Sequence, residues 1–363
     1  MDGADFFSPD YDAACARFRT AAAGCGAAGE AWPVGTAADD LTIEAAALGM
    51  DRPRRLVLVT SGLHGVEGFF GSAVQLAVLN DVFTGWRPPA GAAVVLLHAL
   101  NPFGFDRLRR ANENNVDLNR NFLRRGEAYA GSPPLYAELD PLLNPPRPPR
   151  FGFFIPRLYL TTLARGQRAV RQAIAEGQYD FPRGLFYGGP GPAATHRILA
   201  EQLPRWTDAA DRVVHLDFHT GLGPWATYKL LTAHGEADAA AGTLRDWFGP
   251  AVEACRTGPT AYATRGSIDE WLEERLAGRE CYSVCAEFGT YGPLTVLYAL
   301  RAENQAHHWC RADSPAPAAT KRRLVEVFAP ASRDWRRAVV RQGVELVRRA
   351  VEVCFAVPAT VTK

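Results

Sequence analysis

Lysine is nearly missing from this 363-residue chain: Lys229, Lys321 and Lys363 are the only three, against 40 basic residues in all. Arginine therefore carries almost all of the positive charge. With 39 acidic side chains the formal net charge is +1, which leaves no global field to draw nucleic acid or an anionic membrane. No uninterrupted apolar run approaches the length that spans a bilayer. The N-terminus, Met1 to Phe7, is acidic and has no basic segment leading into an apolar one, so no signal peptide is expected. Cysteine is sparse and unpatterned: Cys15, Cys25, Cys255, Cys281, Cys285, Cys310 and Cys354 include no C-x-x-C pair. That pattern predicts a reduced, cytoplasmic protein with buried thiols and speaks against a cysteine-held zinc. Also absent are a phosphate-binding P-loop and a G-x-S-x-G nucleophile elbow, and Gly62, Gly65 and Gly68 fall at the wrong spacing for a dinucleotide fingerprint.

What is present is an ordinary globular composition, 47% apolar and 22% charged, in a chain that alternates like an α/β domain. Residues 11–23 have the pattern of a short amphipathic helix, and a β-rich stretch is expected near Asp40–Leu48. Leu56–Thr60, Ala93–Leu97, Arg212–Phe218, Tyr228–Thr232 and Tyr282–Ala286 are apolar runs expected as strands, mostly buried. Helical periodicity covers Phe69–Asp81, Leu158–Ala175, Ile268–Leu276 and Leu294–His307. A last amphipathic helix is expected over Asp334–Val353, with Asp334 as its N-cap. Residues 131–156 hold eight prolines, which cannot continue a helix or a central strand. The segment 123–195 is accordingly taken as an insertion on the rim of one domain, either a packing extension or a lid. The expected fold is a single three-layer α/β/α domain, 1–363, around a mixed sheet.

Four clusters carry possible chemistry. His64-Gly65-Val66-Glu67 follows a buried strand, and an imidazole and a carboxylate three residues apart at a helix start suit two metal ligands. Alone that pair is weak, because H-x-x-E arises by chance in many chains. His219 ends another apolar strand, where open α/β sheets place their ligand sites. Two histidines and one carboxylate would leave a fourth zinc position open, the pattern of catalytic zinc. His215, on the same strand, is expected in the core. Asn112 to Phe122, preceded by Arg109-Arg110, is dense in polar groups and offers an arginine fork for a carboxylate, with a solvated loop as the plain alternative. Glu287 emerges at the end of Tyr282–Ala286, a rigid and partly desolvated position suited to a general base.

In that order, H-x-x-E, R-x-N, D-L-N-R-N-F, a distant strand-end histidine and a strand-end glutamate, the sequence resembles the zinc carboxypeptidases and shares much with the succinylglutamate desuccinylase and aspartoacylase group. It looks most like an uncharacterised bacterial branch with an E-F-G-T motif. The resemblance spans about residues 56 to 300, and the hexapeptide Asp117–Phe122 is its specific part. It implies one zinc ion (Zn2+) held by His64, Glu67 and His219. It also implies Glu287 as the catalytic glutamate, Arg110 polarising the scissile carbonyl, and Asn119 with Arg120 binding the substrate's terminal carboxylate. Arg109 competes closely with Arg110. Tyr262 is similar to the mobile tyrosine that closes over substrate in digestive carboxypeptidases. Its spacing to Gly266-Ser267-Ile268-Asp269 is one residue shorter, and Ile268 would then line the pocket. The long stretch between Arg120 and His219 departs from the digestive enzymes.

The resemblance implies metal-assisted hydrolysis of an amide bond next to a free carboxylate. A carboxypeptidase acting on short peptides or peptide-like substrates leads, and an N-acyl amino acid amidohydrolase follows. A non-catalytic protein with a structural zinc is the third reading. No nucleic-acid or membrane partner is expected.

Overall fold

The computed structural model describes residues 2–35, 40–49, 52–150, 152–255 and 263–356. Among them, eight strands form one mixed sheet: β1 (Ala28–Pro33), β2 (Thr42–Gly49), β3 (Arg55–Ser61), β4 (Ala92–His98), β5 (Arg212–Thr220), β6 (Tyr228–Thr232), β7 (Val252–Ala254) and β8 (Glu280–Phe288). Their order is β1-β2-β4-β3-β5-β8-β6-β7. The central four, β4, β3, β5 and β8, run parallel. On one side β2 is antiparallel to β4 and β1 to β2; on the other, β6 is antiparallel to β8.

Alternate side chains of each central strand feed opposite faces, as the pleat requires. Val57, Val59, Val94, Leu96, Val214, Leu216, Phe218, Val284 and Ala286 enter one core. That core is roofed by residues of the helices Tyr11–Gly24, Gly68–Asp81, Ala239–Phe248 and Arg333–Phe355. Leu56, Leu58, Val95, Leu97 and Val213 enter the other core, with residues of Ala194–Gln202 and Ile268–Arg275. Both faces are covered, so the expected three-layer α/β/α architecture with a mixed sheet is the observed one. On that second face the strands carry a polar row instead of apolar side chains toward their C-terminal ends. Thr60, His215, Asp217, His219, Ser283, Cys285 and Glu287 alternate with the first-face residues, and this row builds the site.

Several expected elements are extended or altered. The periodic run Leu158–Ala175 is two helices, Phe154–Arg165 and Gln167–Ala175, because Gly166 at φ 86° breaks the helical backbone between them. The proline-rich stretch does contain a helix, Pro134–Leu143. Pro134 opens it, where no N–H is needed, and Pro141 lies inside it and gives up the ladder bond to residue 137. Ser332, not Asp334, caps the last helix: its side chain accepts from the Trp335 N–H, and Asp334 sits inside the first turn. The structure adds strand β1 and the helices Ala194–Gln202 and Pro315–Phe328, which the sequence reading did not include. All seven cysteines are unpaired. Among the described residues no helix is long and apolar enough to cross a membrane.

Candidate metal centre and its cleft

The chain leaves β3 for β4 on one side of it and later for β5 on the other, so the crevice beside the C-terminal end of β3 is a topological switch point. Directly after β3, a single 3-10 turn, Gly65–Glu67, places His64 and Glu67 on one side. This turn lies against the loop after β4: Gly65 N–H donates to Arg110 O and Val66 N–H to Arg109 O. A Cβ on Gly65 would lie 2.1 Å from the carbonyl carbon of Gly104, so only glycine permits that approach. His219 and Glu287 are register partners at the ends of the paired strands β5 and β8.

His64, Glu67 and His219 converge. His64 Nδ1 lies 2.9 Å from Glu67 Oε1, and His219 Nδ1 lies 3.0 Å from Glu67 Oε2 and 3.1 Å from His64 Nδ1. The Thr220 N–H also donates to Glu67 Oε2 at 3.0 Å. All three side chains are buried. Behind them stand carboxylates: Asp217 Oδ2 is 2.6 Å from His219 Nε2, and Asp117 Oδ1 is 3.2 Å from His64 Nε2. A histidine whose far nitrogen donates to a carboxylate presents the other nitrogen's lone pair, the usual support for a metal ligand. His219 Nδ1 thus faces the Glu67 carboxylate in a buried place, a contact that needs either a proton on that nitrogen or a metal cation between the two groups. The electrostatics agree. Burial opposes a charge on His219, yet Asp217 and Glu67 raise its pKa well above the ordinary value. Burial likewise opposes ionisation of Glu67, yet His64 and His219 hold its carboxyl well below the usual range. The donor set of two imidazoles and one carboxylate therefore fits a divalent metal, and zinc in particular.

Glu287 completes the ring. Its carboxylate, a ligand-type nitrogen of His219 and the Cys285 thiol lie within 4.8 Å of one another. The Cys285 S–H points to Glu287 Oε2 at 3.7 Å. Burial first, then the Glu67 charge, pushes the Glu287 pKa up to about 7, with His219 and Arg110 pulling the other way.

Of the two adjacent arginines, Arg110 faces the cluster: its Nη2 is 2.7 Å from His64 Nε2, Nη1 3.3 Å from Glu67 Oε1 and Nε 2.9 Å from Asp117 Oδ2. Arg109 turns away into a buried pair with Glu303 at 2.8 Å. Asn119 and Arg120 also line the cleft. The Asn119 side-chain oxygen accepts from the Ile268 N–H at 3.1 Å. Arg120 donates Nε and Nη2 to Ala175 O, at 3.0 and 2.5 Å, and Nη1 to Asn119 O at 2.6 Å. Three of its five donors are spent on main chain, which holds the fork rigid. The segment 123–195 supplies this brace and also Phe186, whose ring lies 5.4 Å from the Arg110 guanidinium carbon and 5.8 Å from that of Arg120.

Seven of the eight residues singled out from sequence, His64, Glu67, Arg110, Asn119, Arg120, His219 and Glu287, line this one cleft. The eighth, Tyr262, lies outside the described residues. Ile268 belongs instead to the hydrophobic cluster that holds Phe122 and Trp271, and its neighbours Ser267 and Asp269 line the cleft. Sequence reasoning gave no role to Asp117, Asp217, Asp269, Cys285 or Phe186. The two-residue spacing of Asp217 to His219 and of Cys285 to Glu287, which keeps side chains on one strand face, was the signal available for those two.

A family model described as "Protein of unknown function (DUF2817)" matches residues 7–342. No curated protein matches the sequence. Solved structures similar to this one include a candidate metallopeptidase from Shewanella amazonensis SB2B, at 17% identity over 88% of this chain and 94% of that one, with a TM-score of 0.44. Another is the carboxypeptidase A from Helicoverpa armigera, at 13% identity over 87% and 73%, TM-score 0.44. A third is a candidate succinylglutamate desuccinylase/aspartoacylase family protein from Shewanella amazonensis SB2B, at 19% identity over 77% and 71%, TM-score 0.39.

Proposed function

We propose that this chain, which belongs to the DUF2817 family, is a zinc-dependent hydrolase of carboxypeptidase type, cutting an amide bond next to a free carboxylate. The observation that carries the reading is the meeting of His64, Glu67 and His219, distant in sequence, with Glu287 beside them and two arginines in the same cleft. Zinc, when bound, would supply Lewis acidity that polarises a carbonyl and makes water acidic near about pH 7.

The protein's own groups would do the rest. His64, Glu67 and His219 would hold the ion, and Asp217 fixes the His219 imidazole from behind. Glu287, with its pKa raised to about 7, accepts a proton from the attacking water at its carboxylate and returns it to the leaving amine. Arg110 supplies positive charge where the carbonyl oxygen becomes an oxyanion. Arg120, with the donors not spent on Ala175 and Asn119, takes the substrate carboxylate and sets its register, with Asn119 beside it. Tyr262 retains the covering role that the motif resemblance implies.

A second reading is an amidohydrolase of N-acyl amino acids. It is favoured by the way Ala175 and Phe186 close on Arg120 and Arg110, which suits a small substrate. A panel of dipeptides against N-acyl amino acids separates the two. The test of the common mechanism is Glu287→Gln, measured for metal content and turnover together. Metal content is expected to stay at the wild-type level while hydrolysis falls by about a thousandfold; undiminished turnover removes Glu287 from the reaction.

A further inference from the structure

Exposed apolar surface is spread unevenly over this molecule. Among the described residues eight large apolar side chains are exposed, and five of them, Phe153, Ile155, Tyr159, Leu160 and Leu163, fall in one eleven-residue stretch of the segment 123–195. The helix Phe154–Arg165 explains the pattern. Phe154 and Leu158, four residues apart, enter the cluster that holds Tyr136, Leu139 and Ile174. Pro156, Tyr159, Leu160 and Leu163 recur at intervals of three and four along the opposite side and stay in contact with water. Leu160 and Leu163 keep 63% and 65% of their surface open. A helix that is apolar on two sides belongs between two apolar layers, and here only one is supplied. The exposed surface also continues onto the next helix. The Phe154 and Tyr298 ring centroids lie 6.2 Å apart, and Tyr298 and Leu294 of the helix Pro293–Trp309 are exposed.

The charge around this face has one sign. Residues 147–171 hold six arginines and no acid, in a chain with 40 basic and 39 acidic side chains. Arg165 is tied to Glu138 at 2.6 Å. Arg147, Arg150, Arg157 and Arg168 are exposed and, among the described residues, have no carboxylate within ion-pair distance. The acids on the adjacent helices are already engaged. Glu303 pairs with Arg109, Asp140 accepts from Asn144, and Glu176 accepts from Gln172. A second copy docked through the same stripe would set arginine against arginine, and a two-fold contact repeats each such clash. The whole-chain charge of +1 predicts no membrane partner, but charges act over only about 10 Å in about 0.1 M salt, so the local excess decides.

We propose that this face docks on an anionic lipid bilayer. The helix Phe154–Arg165 lies in the plane of the interface, with Tyr159, Leu160 and Leu163 entering the acyl boundary and the four arginines meeting lipid phosphates. Its 12 residues extend about 18 Å, enough to lie along a bilayer surface and too little to cross it. The cluster beneath the helix also packs against Phe186, whose ring lies against Arg110 and Arg120. A single apolar cluster therefore joins the docking face to the cleft. The proposal does not rest on the hydrolase reading.

The full chain is tested by flotation with phosphatidylcholine vesicles, and with vesicles in which about one-third of the lipid is phosphatidylglycerol, in about 0.1 M salt. Wild type is expected to partition onto the anionic vesicles at least about tenfold more strongly, and to lose most of that preference in about 0.5 M salt. Arg157→Gln with Arg168→Gln should weaken anionic binding by about ten- to thirtyfold, each arginine at such a surface contributing about fivefold. Leu160→Ser with Leu163→Ser should weaken it by about tenfold or more. All four side chains are exposed, so wild-type circular dichroism and Tm are expected; Tyr159→Ser replaces the leucine pair if that variant does not fold. No binding by wild type, equal binding to both vesicles, or binding that survives both the arginine and the apolar substitutions overturns the proposal. Sedimentation equilibrium supplies the remaining check. A dimer that the leucine substitutions dissociate would mean that a second copy covers the face, and that too overturns it.

Discussion

Replacing Asp269 by asparagine should stabilise the metal-free protein at alkaline pH and not at acidic pH. The carboxyl has an ordinary pKa of 3.8 unfolded and about 7 folded, and the side chain is almost wholly buried. Below the unfolded value both states are protonated and nothing is lost. Between 3.8 and about 7 the unfolded chain gives up a proton that the folded chain keeps, so stability falls as pH rises. Above the folded value the loss is complete. At about 1.4 kcal/mol per pH unit it reaches up to about 4 kcal/mol. Asparagine has no such term and keeps a donor for Ser283. Any pH-independent cost of the substitution appears at both ends and cancels in the comparison. For a 363-residue chain unfolding with about 2.1 cal/mol/K per residue, 4 kcal/mol corresponds to a Tm difference of about 5 °C. The assay is urea or thermal unfolding of both proteins, freed of metal, at pH 8 and near pH 4.5. A stability difference between the two proteins that is the same at both pH values refutes the burial argument.

A divalent metal at His64, Glu67 and His219 should raise Tm by about 3–4 °C at a hundredfold excess over Kd, since binding at that level contributes about 2.7 kcal/mol. His64→Ala and His219→Ala should abolish the shift in calorimetry, and a full shift in both variants would refute the ligand assignment. Glu303→Ala should destabilise the fold by about 3–5 kcal/mol in urea unfolding, because it leaves the buried Arg109 guanidinium without its carboxylate. A cost below about 1 kcal/mol would mean that the pair holds nothing.

The segment 123–195 was the hardest to anticipate, and its prolines explain why. Proline disfavours helix interiors and central strands, yet Pro134 opens a helix that also tolerates Pro141 within it. The segment's contribution to the cleft is made by a carbonyl, Ala175 O on Arg120, and by one ring, Phe186. A main-chain carbonyl has no identity in a sequence. The motif resemblance favoured Arg110 over Arg109, but the physical reason appears only in the fold: Arg109 lies in a buried pair with Glu303 and Arg110 faces the cluster.

By itself the sequence determined the layered α/β arrangement. Runs such as Leu56–Thr60 and Ala93–Leu97 can be buried on both faces only between helices. It also marked which strand ends bear imidazole and carboxylate, because a side-chain period of two makes a polar row within apolar strands visible. Tertiary structure decided which of those residues meet. Placing β3 between β4 and β5 brings His64, Glu67 and His219 to one crevice, and the pairing of β5 with β8 sets Glu287 beside them. Interactions that depend on burial and on strand neighbours do not exist in the chain until it is folded.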